Sequence, residues 1–166
     1  ANDAVINQCQ GGACTLVLID IQGSMIRSYH VGDACALVTG DDGVIKFQTV
    51  SHSPVGYAME AGLIDENEAM EHEDRHLVSN LLGDKDMHIE QGPSVKLSPC
   101  DTLILGSDGL FDNLQTREIV EHMRRGPLDK AAAALYDDCR RRIFEPSDDS
   151  PFKPDDVSFI LFRRAK

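Results

Sequence analysis

Three aspartates stand beside predicted strands, where a fixed carboxylate can reach the surface. Asp108 follows the apolar run 102–106 and precedes Gly109, which lets the backbone approach a ligand closely. Asp155 comes just before the last predicted strand, and Asp33 lies between two earlier ones. Carboxylate oxygens are the ligands that Mg²⁺ and Mn²⁺ prefer. If these side chains converge, they form a divalent-metal site; on the residues alone, the alternative is that each caps an acidic turn.

A second pattern with chemical potential is H-E-x-x-H, formed by His72, Glu73 and His76. On a helix, this spacing places two imidazoles on one face for zinc, with the glutamate as the general base of a peptidase. Both intervening residues are charged, and no third ligand stands out nearby. A zinc peptidase is therefore the less favoured interpretation, and a solvated helix face is its alternative.

Composition narrows the classes of partner. The 166 residues carry 16 Lys and Arg against 28 Asp and Glu, a formal charge of −12. Such a surface repels polyphosphate backbones and anionic lipid, so we expect neither nucleic-acid nor membrane binding. The apolar run 15–19 is far shorter than the roughly 20 residues of a membrane helix. The length fits one domain, 1–166, with a real core.

Cysteine usage points to a compartment. The chain has five cysteines, an odd number, and no C-x-x-C pair. Neither a disulfide framework nor a thiolate zinc site is indicated. No basic region followed by an apolar stretch marks a secretory signal at the start. The prediction is a reducing, cytoplasmic location.

Four short segments between residues 15 and 49 are predicted to be strands. Short apolar or β-branched runs at 15–19, 26–31, 35–39 and 44–49 are separated by glycine-containing breaks. We expect an antiparallel meander in which the last two runs form a hairpin through the polar turn 40–43.

Helices and strands then mix. A helix is predicted from Ser53-Pro54 to near Gly62, and a second from Asp65 that carries His72 and His76. Strands are predicted at 77–82, 87–90 and 101–106, and helices at 116–125 and 127–143. A proline-rich loop at 145–154 leads into a last predicted strand at 157–162. Strands at both ends with helices between them, without regular β-α-β alternation, predict an α+β fold.

Four segments occur in an order that is typical of one enzyme family. They are VGDACA at 31–36, SHSPVGYAMEAGLIDENEA at 51–69, DTLILGSDGLFDNL at 101–114 and DDVSFILF at 155–162. In this order and spacing, the chain resembles the type-2C, metal-dependent protein serine/threonine phosphatases. Three departures are small: Ala34 stands where the family has serine, Asp156 where it has asparagine, and Ser158 where it has threonine.

The resemblance implies a layered α/β/β/α sandwich of mainly antiparallel sheets flanked by helices, with two or three Mg²⁺ or Mn²⁺ ions between the sheets. By position, Asp108 and Asp155 resemble ligands of one core metal, and Asp33 with Asp108 resembles the site of a third ion. The expected reaction is hydrolysis of phosphoserine or phosphothreonine in a phosphoprotein by a metal-activated water.

One departure from the family is large. The family's opening part carries a phosphate-binding arginine and an Asp-Gly-x-Gly-Gly segment whose aspartate bridges the core metals, and the chain begins downstream of both. We therefore expect an incomplete sandwich, whose exposed sheet is covered by a second copy or by a missing N-terminal portion. The alternative function is a catalytically inactive binding or regulatory module of the same fold.

Overall fold

Two antiparallel sheets form the centre of the computed structural model, which describes residues 2–9, 11–146 and 152–164. The first sheet has the order β1-β2-β5 and the second β4-β3-β6-β7. In chain order the strands are β1 (Leu16–Gln22), β2 (Met25–Val31), β3 (Cys35–Thr39), β4 (Ile45–Gln48), β5 (Glu90–Lys96), β6 (Thr102–Gly106) and β7 (Phe159–Arg163).

Six helices occur among the described residues. They are α1 (Asn2–Gln8), α2 (Pro54–Glu60), α3 (Glu66–Glu71), α4 (Asp108–Phe111), α5 (Thr116–Met123) and α6 (Leu128–Phe144). The structure therefore has the predicted α+β class.

The alternation of side chains along the second sheet creates two cores. Leu37 of β3 and Ile104 of β6 point to one side, where they pack with α5 and α6. Val38 follows Leu37 and Leu103 precedes Ile104; both point to the other side and pack with Ile26 of the first sheet. Because successive strand residues face opposite sides, one sheet is buried on both faces and separates a helix layer from the other sheet.

The outer face of the first sheet is partly open. Leu16 and Leu18 of β1 lie on it and are 43% and 47% exposed. Strand β1 pairs with β2 alone, so it is an edge strand. The predicted α/β/β/α order is thus confirmed for one helix layer and the two sheets, and among the described residues the outer face of the first sheet is the part left exposed.

The predicted meander is wrong at one step. Strands β1 and β2 pair antiparallel, and β3 and β4 form the predicted hairpin. Strand β3, however, does not continue the first sheet but pairs with β6 in the second. The chain crosses between the sheets at Gly32, whose φ of +97° is a conformation that glycine adopts without strain.

Helix starts agree with the sequence. The hydroxyl of Ser53 accepts the Gly56 N–H at 2.9 Å and caps α2. Asp65 and Glu68 form a capping box at the start of α3. The predicted continuation of α3 through His72 and His76 is wrong, because the helix ends at Glu71 and His72 is extended.

The strand prediction fails between 77 and 90. Residues 77–82 contain only an isolated bridge between Cys14 and Leu82, and β5 begins where the second predicted piece ends. Gly92 and Pro93 interrupt the apolar pattern of β5; the proline is tolerated because β5 is an edge strand. Helices α5 and α6 and strands β6 and β7 lie close to their predicted positions. Part of the predicted loop 145–154 falls outside the described residues.

None of the helices described above has the length and apolar character needed to cross a bilayer.

Candidate metal centre

Asp108 stands at the junction of β6 and α4. One carboxylate oxygen, Oδ1, accepts the Gly109 N–H at 2.9 Å. The other, Oδ2, accepts from the Lys153 ammonium at 2.7 Å. Because β6 is buried between two cores, the carboxylate is held by a rigid element yet remains part-exposed.

The pairing of β6 with β7 brings Asp155 beside Asp108. The Ser107 N–H donates to the Ser158 carbonyl at 2.9 Å, and the Ser107 hydroxyl donates to the Asp156 carbonyl at 3.2 Å. The Asp156 N–H in turn donates to Asp155 Oδ1 at 2.8 Å. The approach is so close at Gly109 that a Cβ there would overlap the Asp156 carbonyl oxygen.

Asp33 enters the same site from the loop between β2 and β3. It lines a cavity of about 280 Å³ together with Asp108 and Asp112. Burial raises the pKa of the Asp33 carboxyl, and the negative charge of Asp108 raises it further. Three sequence-predicted residues from three separate segments thus meet in one region.

Asp112 is a fourth carboxylate that sequence reasoning missed. It follows Asp108 by four residues, so both face the same side of α4, and its Oδ2 accepts from Lys153 at 2.8 Å. Burial raises the pKa of the Asp112 carboxyl, although the hydrogen bond from Lys153 opposes that shift. The D-x-x-x-D spacing at 108–112 indicates two carboxylates on one helical face, but only if this short segment is recognised as the helix α4.

Lys153 lies among the aspartates. Besides its bonds to Asp108 and Asp112, its Nζ is 3.5 Å from Asp155 Oδ2, and its side chain is only 17% exposed. Burial alone would lower the pKa of the ammonium, but the bonds to Asp108 and Asp112 outweigh burial and raise it. The lysine is therefore a resident cation of this carboxylate group. No sequence motif pointed to it.

The donor set fits a hard divalent ion. Asp33, Asp108, Asp112 and Asp155 offer only carboxylate oxygens, which are the ligand type for Mg²⁺ and Mn²⁺ rather than for zinc. The Lys153 ammonium already contacts two of these oxygens, so an ion that used them would have to displace it.

A histidine cluster lies behind Asp33. Among the described residues, His30, His52 and Glu90 are a group whose ligand-type atoms all lie within 4.8 Å of one another. His52 Nδ1 accepts from the Gly32 N–H at 3.1 Å and from the Asn80 amide at 2.7 Å. The imidazole proton is therefore on Nε2, which is 3.1 Å from Glu90.

This hydrogen-bond pattern makes the histidine cluster a poor metal site. A metal at His52 Nε2 would move the imidazole proton to Nδ1, where it would face two N–H donors. Burial lowers the pKa of His52 despite the hydrogen bond to Glu90. The neutral ring is best explained as a clamp on Gly32, and thus on the backbone that carries Asp33.

The H-E-x-x-H residues do not assemble. Helix α3 ends before His72, whose Nδ1 accepts the Asp74 N–H at 3.1 Å, and residues 73–76 form turns. His72 and His76 consequently do not share a helical face. The zinc-peptidase interpretation loses the geometry on which it depended.

Comparison with known proteins finds relatives among the type-2C protein phosphatases, the family that the sequence motifs resemble. No protein-family model matches the chain. A Streptococcus pyogenes protein described as a 2C-type protein phosphatase is 36% identical over 113 residues, which are 67% of this chain and 45% of that protein. The chain thus matches less than half the length of this curated relative.

Solved structures share the fold. Serine/threonine phosphatase Stp1 from Staphylococcus aureus superposes with a TM-score of 0.83 at 24% identity, over 99% of this chain and 64% of the other. The catalytic domain of the serine/threonine protein phosphatase PstP, in complex with two manganese ions, gives 0.74 at 22% identity, over 96% and 65%. The ordered motifs and the match to curated relatives show that the chain belongs to the type-2C family of protein phosphatases.

Proposed function

We propose that the chain supplies the metal-binding part of a phosphatase that hydrolyses phosphoserine or phosphothreonine in proteins with Mg²⁺ or Mn²⁺. The observation that carries this proposal is the meeting of Asp33, Asp108 and Asp155 in one region, joined by Asp112. The two manganese ions named for the PstP domain support the choice of cation for a protein of this fold.

In this proposal each residue has a definite task. Asp108 and Asp155 hold one core ion, and Asp33 with Asp108 and Asp112 holds another. When bound, the ions supply an activated water and neutralise phosphoryl charge. Ser107 keeps Asp155 beside Asp108, and the neutral His52 keeps the backbone of Asp33 in place.

Two groups of the family's site have no counterpart in the chain. The resemblance assigns a metal-bridging aspartate and a phosphate-binding arginine to an opening part, and the curated relative is more than twice as long as the matched region. A missing N-terminal portion or a second copy over the first sheet stays a prediction. The exposure of Leu16 and Leu18 on edge strand β1 supports it.

A second candidate function is an inactive binding or regulatory module. The observation that favours it is the ammonium of Lys153, which already compensates the carboxylates that a metal would need. Such a module would keep the fold without turnover.

A cytoplasmic location also stays a prediction. It is supported by the five cysteines, all of which are free thiols in the structure.

Hydrolysis of p-nitrophenyl phosphate with added Mn²⁺ tests the enzyme against the inactive module. We expect Mn²⁺-dependent turnover that Asp108→Asn lowers by roughly 100-fold or more, because an amide oxygen replaces a charged ligand. Asp129→Asn, on the exposed start of α6, is the matched control and should leave turnover unchanged. Turnover that is absent, or that survives Asp108→Asn, would contradict the enzyme proposal.

A further inference from the structure

We propose that Lys153 is a built-in competitor of the divalent ion, so that this one side chain sets the affinity of the metal centre. The inference rests on the proposed function, since it presumes that the aspartates bind a metal. It goes further by assigning control of that binding to a residue outside the carboxylate set.

The backbone of Lys153 is fixed by a buried amide. Asn113 is fully buried; its Oδ1 accepts the Lys153 N–H at 2.8 Å, and its Nδ2 donates to the Lys153 carbonyl at 2.9 Å. The same Nδ2 donates to the Gly109 carbonyl at 2.8 Å. One side chain therefore ties Lys153 to the helix that carries Asp108 and Asp112.

Two neighbours restrict the loop further. The Arg75 guanidinium donates to the Phe152 carbonyl at 2.9 Å, directly before the lysine. Pro154 follows and fixes its own φ. The position of Lys153 is thus defined on both sides, and its ammonium reaches the aspartates from an anchored backbone.

Charge makes the lysine and a metal mutually exclusive. Four carboxylates and one ammonium leave three negative charges in a part-buried site. Lys153 accounts for one oxygen of Asp108 and one of Asp112. A divalent ion needs oxygens of the same aspartates and repels the ammonium at such short range. Metal binding must therefore displace the Lys153 side chain, while in the absence of metal the lysine reduces repulsion among the aspartates.

Calorimetric titration of Mn²⁺ into the 166-residue protein tests the inference. Lys153→Met keeps most of the length of the side chain and removes its charge, and we expect it to bind Mn²⁺ about tenfold more tightly or better. Lys153→Arg keeps the charge and should bind no more tightly than the unsubstituted protein. Lys130→Met, at an exposed position of α6, is the matched control and should change nothing.

A second measurement guards against misfolding. In EDTA, Lys153→Met should unfold at a lower temperature than the unsubstituted protein, and Mn²⁺ should raise its unfolding temperature by more. Equal Mn²⁺ affinity in the unsubstituted protein and Lys153→Met would overturn the inference and leave the proposed function standing. No Mn²⁺ binding by either protein would overturn both.

Discussion

Asp108 connects every other residue of the metal centre. It shares a helix face with Asp112, a cation with Lys153 and a cavity with Asp33, and the β6–β7 pairing places Asp155 next to it. Three of these four aspartates could be predicted because each borders a strand or run that the apolar pattern identifies. Lys153 could not, because its place depends on the hydrogen bonds of Asn113, forty residues away in sequence.

The pH dependence of stability tests the role of His52. Burial lowers its pKa from the usual 6.5, so the unfolded chain takes up a proton more readily than the folded one. This stabilising contribution is complete above pH 6.5 and is lost as the pH falls below it. We expect the free energy of unfolding, measured in urea between pH 7.5 and 5, to decrease on acidification.

Two variants make this assignment specific. His52→Asn should lower the free energy of unfolding at neutral pH and make this free energy fall less steeply as the pH is lowered. His76→Asn, at an exposed position, should keep the slope of the unsubstituted protein. An unchanged slope in His52→Asn would mean that another group titrates.

The starts of two helices and the positions of the two longest helices could be predicted from the sequence. Ser53 and Asp65 cap α2 and α3 where the sequence indicates, and the three- and four-residue spacing identifies α5 and α6. The end of α3 was missed because its charged continuation carries no helix-stopping residue. Strand β5 was missed because Gly92 and Pro93 obscure its alternation.

The close contact between α4 and the segment before β7 can be tested by enlarging Gly109. In Gly109→Ala, the added Cβ would overlap the Asp156 carbonyl and push Asp155 away from Asp108. We expect a loss of about 1–3 kcal/mol in the free energy of unfolding. Mn²⁺ affinity should fall with it.

Gly126→Ala is the control for this substitution. Its φ is +82°, and no atom lies within 4 Å of an added Cβ, so it introduces backbone strain without a clash. It should destabilise the protein but leave Mn²⁺ affinity unchanged. Gly109→Ala that binds Mn²⁺ normally would show that the α4–β7 contact does not position the ligands.

At the scale of the whole molecule, the sequence predicts the layers but not which strand joins which sheet. Strand β3 resembles β2 in pattern, yet its partner β6 is more than 60 residues away, and pairing over that distance leaves no local signal. Strands β3 and β6 pair in the same sheet because both are buried on both faces and must lie between the two cores.

The packing of those layers predicts which thiols react. Cys35 and Cys139 are buried, and burial raises the pKa of their thiols to about 11 and about 12. Cys9, Cys14 and Cys100 are exposed. Because the thiolate is the reactive form, Ellman's reagent at pH 8 should find three fast thiols in the folded protein and five in denaturant. Five fast thiols without denaturant would contradict the layered packing.

Anomalous diffraction from crystals grown with Mn²⁺ would locate the metal relative to Asp108, Asp155 and Lys153. We expect a manganese peak about 2 Å from carboxylate oxygens of both Asp108 and Asp155, with the Lys153 ammonium displaced from the aspartates. A map without a peak at these carboxylates, with Lys153 still bound to Asp108 and Asp112, would mean that the aspartates do not form a metal centre.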